Sequence, residues 1–369
     1  MRTLVVSDLH LGARTGVDVL RCPAALEALV ERVRGAGRLV LLGDVLELRH
    51  GPARDALAAA RPVLEEVGRA LGDAEVVVVP GNHDYGLVGP WLERRGRSGP
   101  PPRLGLEERA GPGASPASEA IAEMLRPASL DVAYPGVWLA DGVYATHGHY
   151  LDRHLTVPSF ERLAIGTLAR VLDVRVEATR TPDDYELVLA PLYTMLEAVA
   201  ARTPDGRGAG HAGASGRTWR ALSRDGSRRR PWRLRLLAGA LPLGVGVVNA
   251  LGLGPVRGDL SGAELRRATL RGMRDVVAHL EIPARAVVFG HTHRPGPLPG
   301  DDPAGWTLPG GGRLVNCGSW VYEEAFLGDG GPASPYWPGG VVELDDEDDG
   351  APPRHARLLA QVDAARLRR

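Results

Sequence analysis

Residues 4–11 read Leu4-Val5-Val6-Ser7-Asp8-Leu9-His10-Leu11, a short β-branched run that ends in an aspartate and a histidine two positions apart. Such a run has the make-up of a buried strand, and side chains two apart on a strand or its extended exit point the same way, so Asp8 and His10 can reach one centre. The phrase repeats along the chain. Leu39–Leu42 runs into Gly43-Asp44, and Val76–Val79 leads to Gly81-Asn82-His83-Asp84. Between these runs the apolar residues fall at helical spacing, at Leu26, Leu29, Val30 and Val33 and again at Leu57, Leu64, Val67 and Leu71. Strand, helix, strand, helix, strand predicts adjacent strands buried between helices, an α/β fold.

Two more strand-like runs end in the same manner. Tyr144-Ala145-Thr146 precedes His147-Gly148-His149, and Ala286–Phe289 precedes Gly290-His291-Thr292-His293. Further strands are expected at Leu314-Val315-Asn316 and Val341–Leu344, and the helix before 286 is expected to open with the capping pattern Ser261-Gly262-Ala263-Glu264. In an α/β sheet the strand ends on one edge converge although they are distant in sequence, and ligands bind in the crevice there. Taken singly, each piece has an ordinary reading: Asp-x-His is a common turn, and Gly, Asn and Asp are turn formers. All five in order, each directly after a β-like run, point to a metal site. Carboxylate, imidazole and amide oxygen donors suit Mn²⁺ first, with Fe or Zn²⁺ as alternatives, and fit Ca²⁺ less well. With Cys22 and Cys317 the only cysteines, a disulfide scaffold and a thiolate cluster are both excluded.

The five motifs resemble those of the calcineurin-like metallophosphoesterases, over roughly residues 1–150 and 260–345. The resemblance implies a four-layer α/β-β/α sandwich carrying two divalent metal ions. It implies that Asp8, His10 and His293 bind one ion, that Asn82, His147 and His291 bind the other, and that Asp44 bridges them. Two cations about 3.5–4 Å apart with a shared carboxylate can hold a hydroxide for in-line attack on a phosphate ester or pyrophosphate bond. His83 then falls outside the ligand set, placed to stabilise or protonate the leaving oxygen, and Asp84 is expected to orient its imidazole and favour the charged form. Ser7–Leu11, Gly43–Glu47, Gly290–Pro295 and Asn316–Trp320 are also similar to the UDP-2,3-diacylglucosamine diphosphatase branch, which implies a lipid-linked pyrophosphate substrate. His83 and His149 depart from that branch, which uses Arg and Asp at those places.

The expected organisation is a discontinuous core, 1–150 and 259–345, interrupted by a mostly helical insertion at 151–258 and followed by a tail at 346–369. The insertion should contain helices at Phe160–Leu172 and Tyr185–Ala201 and a flexible Gly, Arg and Ser-rich tract at about 203–230. Residues Arg97–Ser118, rich in Gly, Pro and Ser, read as a mobile surface loop. From Arg217 to Arg235 the only acid is Asp225, and Leu236–Val256 carries no charge, so 217–256 is a candidate for peripheral membrane contact, a buried hairpin or a span. Trp306, Trp320 and Trp337 either wall a cleft or pack in the core. No apolar leader precedes Leu4, so the expected compartment is the cytoplasm, with membrane association as an option.

The 369 residues carry a net charge of −1, with every basic residue an arginine, which offers no global case for nucleic acid as partner. A nuclease of the same fold would want a basic groove. A metal-binding interaction scaffold without turnover would be expected to lack ligands, and none of the seven is missing. A phosphorylated small-molecule or lipid-linked substrate is therefore the favoured partner.

Overall fold

The computed structural model describes residues 1–97, 99, 101–155, 160–202, 262–345 and 351–368. The Gly and Arg-rich tract, the stretch Arg217–Val256 and Ser261 lie outside the described residues. The chain divides into two compact units, Met1–His149 with Tyr193–Ala209 and Ile282–Arg369, and Tyr150–Leu192 with Gly210–Glu281.

The first unit is organised around a sheet in the order β10-β9-β1-β2-β3-β5-β6-β7-β8, with β4 pairing β5. Its strands are β1 (Arg2–Val6), β2 (Arg38–Leu41), β3 (Glu75–Val78), β4 (Glu107–Arg109), β5 (Ser129–Ala140), β6 (Val143–Thr146), β7 (Ala286–Phe289), β8 (Arg313–Asn316), β9 (Gly340–Asp345) and β10 (Arg354–Arg357). β1, β2, β3 and the first part of β5 are parallel, as are β6, β7 and β8, while β5 turns antiparallel to β6 after Gly136. Helices α1 (Pro23–Val33) and α2 (Ala53–Leu71) make the crossovers between the first three strands. α3 (Gly89–Arg95) and α4 (Pro116–Met124) fall between β3 and β5.

Period-two alternation builds two apolar cores. Leu4, Val6, Leu39, Leu41, Val76 and Val78 pack with α1, α2 and α4 residues such as Leu29, Val33, Leu64, Val67 and Ile121. Their neighbours Val5, Val40 and Val77 face the other way and join Val137, Ala145, Val288 and Val315 from the second half of the sheet. Because both faces are covered, these strands are apolar throughout, and within each parallel set, β1–β3 and β6–β8, the C-terminal ends lie on one edge.

Two expectations are corrected here. Arg97–Ser118 is not a structureless loop: it contains β4, a short 3₁₀ turn and the first turn of α4, which opens with a capping box between Ser115 and Ser118. The segment after Asp345 is more than a tail, since β10 pairs antiparallel with β9 and Leu359 and Leu367 are buried. Of the two readings open for Trp320 and Trp337, packing is the one observed: both are buried, their indole N–H groups donating to Gly340 O and Leu359 O.

In the second unit the described elements are α5 (Phe160–Val171), the first part of α6 (Pro182–Ala201), α7 (Gly262–His279) and a few short turns, with no strand among the described residues. Tyr150 stacks on Tyr185 at 4.5 Å, and His154 Nε2 lies 2.7 Å from the Tyr185 hydroxyl. No helix of the described residues is long and apolar enough to cross a membrane.

Candidate metal centre

Each sequence motif occupies the turn that follows a strand. Asp8 and His10 follow β1, Asp44 follows β2, Asn82 and His83 follow β3, His147 follows β6, and His291 and His293 follow β7. These turns are tight: Asp8 (φ 57°), His10 (φ 46°), Asp44 (φ 51°), His291 (φ 65°) and His293 (φ 60°) all adopt left-handed backbone. For non-glycine residues this costs on the order of 1–3 kcal/mol each, and such strain gathers at functional sites when surrounding bonds over-determine it. Here the bonds are Asp8 N–H to Gly43 O (3.0 Å), His10 N–H to Asp44 O (2.8 Å) and Gly290 N–H to His147 O (2.9 Å). Asn316 adds its amide N–H to Gly290 O (2.9 Å) and to Thr292 Oγ1 (3.0 Å).

The seven sequence-predicted ligands come together. Asp8 Oδ1 lies 3.2 Å from His293 Nε2, which is 3.3 Å from His10 Nε2. On the other side, His147 Nε2 lies 3.2 Å from Asn82 Oδ1, and a ligand atom of His291 falls within 4.8 Å of ligand atoms on Asp44 and His147. Asp44 stands between, its Oδ2 at 3.6 Å from His10 Nε2 and 3.3 Å from His147 Nε2. Tautomers are set from behind. Nδ1 of His147 donates to Leu42 O (2.9 Å) and Nδ1 of His10 is 3.0 Å from Glu47 Oε2, so each ring turns Nε2 toward the centre. A Cβ at Gly81 would collide with Asp44 Oδ1 and the His147 ring, so this glycine is what lets the β3 turn close on the centre.

Electrostatics and donor chemistry agree that the centre suits cations. Burial by itself would raise the carboxylates, yet the surrounding imidazoles hold Asp8 at about 2 and Asp44 and Glu47 well below the usual range. In return, against burial, Glu47 and Asp44 raise His10 to about 9, and Asp44 raises His147 to about 10. The carboxylate cluster thus draws positive charge, the demand that divalent cations meet. Asp8 Oδ1 is fully buried without a hydrogen-bond donor, an acceptor suited to a metal ion.

Asp84 departs from its expected role. Its carboxylate accepts from the backbone N–H groups of Gly81 (2.7 Å), Val45 (2.6 Å) and Asp44 (3.2 Å), and so ties the β3 turn to the β2 turn instead of orienting His83. The carboxylate that meets the His83 ring is Glu47, 2.9 Å from Nδ1. Nor is the imidazole favoured in its charged form, because burial, helped by the charge of Arg49, outweighs Glu47 and Asp44 and lowers it to about 4. Sequence reasoning missed Glu47 as a site residue although it lies three positions after Asp44. Its carboxylate serves both His10 and His83.

Two consequences are measurable. Asp84→Asn keeps the size but sets an amide against backbone donors; it should lower stability by about 1–3 kcal/mol and weaken metal binding about 10–100-fold. Thermal unfolding with metal titration checks this, and unchanged metal affinity would remove Asp84 from the support of the centre. Glu47→Gln should likewise weaken metal binding about 10–100-fold through His10, read by metal content after dialysis against a weak chelator.

No curated protein matches the chain. The crystal structure of a dimetal phosphatase from Danio rerio aligns over 94% of this chain and 93% of its own, at 13% identity and a TM-score of 0.36. The family model for calcineurin-like phosphoesterases matches residues 1–217, more than half of the 369. The chain belongs to the calcineurin-like phosphoesterase family.

Proposed function

We propose that the chain hydrolyses a phosphate ester or pyrophosphate bond with two divalent cations, Mn²⁺ by preference. Asp8, His10 and His293 would hold one cation, Asn82, His147 and His291 the other, and Asp44 both. The observation that carries this reading is the position of Asp44 Oδ2, within 3.6 Å of an imidazole nitrogen from each set. The cations would supply Lewis acidity toward phosphoryl oxygens and a water-derived nucleophile at neutral pH.

The chain's own contribution is placement. Ser7 Oγ–H and the backbone N–H of His291 both donate to Asp8 Oδ2 (2.6 and 2.9 Å), and the backbone N–H of His83 donates to Asp44 Oδ1 (2.8 Å). Each carboxylate is thereby left with its other oxygen toward the centre. His83, with Nδ1 on Glu47 and its ring 4.7 Å from that of His10, is the side chain outside the assigned ligands that we assign to proton exchange with substrate.

The test is a hydrolysis panel with purified, Mn²⁺-loaded protein: an aryl phosphomonoester, an aryl phosphodiester, a nucleoside-diphosphate lipid and DNA. Turnover of at least one of the first three, lost on chelation and restored by Mn²⁺, is expected. Turnover of the lipid alone would tie the chain to the diacylglucosamine-type substrate, and turnover of DNA alone would make it a nuclease. Silence on all four with Mn²⁺, Fe²⁺ and Zn²⁺ would overturn the phosphoesterase reading.

A further inference from the structure

Arg49 follows Glu47 by two residues in the turn after β2. Its backbone N–H donates to Glu47 Oε1 (3.0 Å), so the main chain is anchored to the carboxylate that serves His10 and His83. The half-buried side chain lies over the Tyr193 ring, Cζ 5.2 Å from the centroid. Tyr193 packs on His149 at 5.6 Å, and His149 packs on His147 at 5.7 Å. Arg49 is thus tied to residues that flank the metal centre, and its charge helps to push His83 and His149 below their ordinary values.

Among the described residues no carboxylate forms an ion pair with this guanidinium, although its charge acts on Glu197. Several other partly covered arginines of the first unit do form one: Arg21 with Asp18, Arg32 with Glu343, Arg38 with Glu75 and Arg294 with Asp301. Around Arg49 the carboxylates are engaged elsewhere, Glu47 with two imidazoles and Glu197 with the backbone N–H of Gly86 (2.8 Å). Nε and Nη2 of Arg49 are covered and have no hydrogen-bond partner. Those two nitrogens form the side-on edge of the guanidinium, whose parallel N–H groups match two oxygens of a phosphate. A cation kept from water without a partner is costly unless an anion arrives to complete it.

Building on the phosphoesterase reading, we propose that Arg49 is a specificity-determining residue that grips a phosphate of the substrate through its Nε and Nη2 edge, with the Tyr193 ring fixing the plane of the guanidinium. The phosphate can be the group under attack or its neighbour in a diphosphate. The chemistry of recognition is the same, and substrate comparison separates the two.

The experiment compares wild type, Arg49→Gln and Arg49→Lys, all loaded with Mn²⁺ and checked for metal content. Inorganic phosphate binding is measured by calorimetry, and kcat and KM are measured on an aryl phosphomonoester and on a pyrophosphate-linked nucleotide. Arg49→Gln should keep its metals and weaken phosphate binding about ten- to a hundred-fold, with the loss falling on KM more than on kcat. Arg49→Lys should recover only part, because an ammonium supplies charge without the fork. Equal losses on both substrates assign the phosphate to the group under attack, and loss confined to the nucleotide assigns it to the neighbour. If Arg49→Gln holds full metal and binds phosphate as wild type does, the proposal fails while any turnover leaves the phosphoesterase reading standing. If phosphate binding drops as expected but wild type hydrolyses nothing, the phosphoesterase reading fails and Arg49 remains an anion site. Loss of metal in both variants would make Arg49 a structural support and overturn the proposal.

Discussion

Asp44→Ala should abolish hydrolysis and strip metal in one step, with kcat/KM falling about 10³-fold or more and at least one equivalent of metal lost per chain. Oδ2 of Asp44 faces His10 on one side and His147 on the other, and Oδ1 accepts the backbone N–H of His83 (2.8 Å), so no second side chain can stand in for it. Removing it takes a full negative charge from a buried cluster and leaves His10 and His147 facing each other across the gap, which disfavours cation binding at both positions. At about 1.4 kcal/mol per decade of rate, three decades correspond to about 4 kcal/mol, a modest figure for one carboxylate serving two cations. Asp44→Asn separates charge from shape, since it keeps the oxygen and the volume. It should retain more metal than the alanine variant yet remain severely slowed. Full activity of Asp44→Ala after metal depletion, measured with elemental analysis on the same sample, would end the two-cation reading.

Much of this centre was legible because its logic is carried by strand ends. An apolar run covered on both faces shows as an uninterrupted Val and Leu stretch, and the residue types that break it are those that sit at the ligand edge. Asp8, His10, Asp44, Asn82, His147, His291 and His293 could therefore be placed on one edge before any coordinates. Direction within a tight turn was not legible. Asp84 follows His83 directly, but its carboxylate folds back onto the N–H groups of residues 44, 45 and 81. Glu47, thirty-six positions earlier, is the one that reaches the His83 ring.

Of the strands not expected from the sequence, β4, β5 and β10, the longest has a similar cause. Ser129–Ala140 contains Pro135-Gly136, which reads as a strand-breaking turn. In the fold that pair marks the place where β5 leaves β3 and takes β6 as its partner, and a Cβ at Gly136 would collide with the Tyr144 hydroxyl. Composition misled at Arg97–Ser118 as well. The Gly and Pro content is that of a loop, while a two-serine capping box starts a helix inside it.

His83→Ala should lower kcat by about 10²–10⁴-fold while leaving both metals bound. His83 lies near the assigned ligands without belonging to either set: its ring is 4.7 Å from that of His10 and it groups with His10 and Asp44 within 4.8 Å. With Nδ1 held 2.9 Å from Glu47 Oε2 and its value lowered to about 4, the ring is neutral at pH 7, its proton on the side facing the carboxylate. It stores no proton in advance, so it would take one from the attacking water and pass it to the leaving oxygen, with Glu47 offsetting the charge gained in between. The loss should then depend on the leaving group: largest for an alkyl phosphate, whose leaving oxygen is strongly basic and most needs a proton, and small for a nitrophenyl ester. Glu47→Gln should reproduce that leaving-group pattern once metal is supplied in excess, because the amide no longer stabilises the charged ring. A uniform loss across leaving groups would place His83 in substrate positioning rather than proton transfer. A fall in metal content as deep as the fall in rate would place it among the ligands, and the assignment of Asn82 would then need to be redrawn.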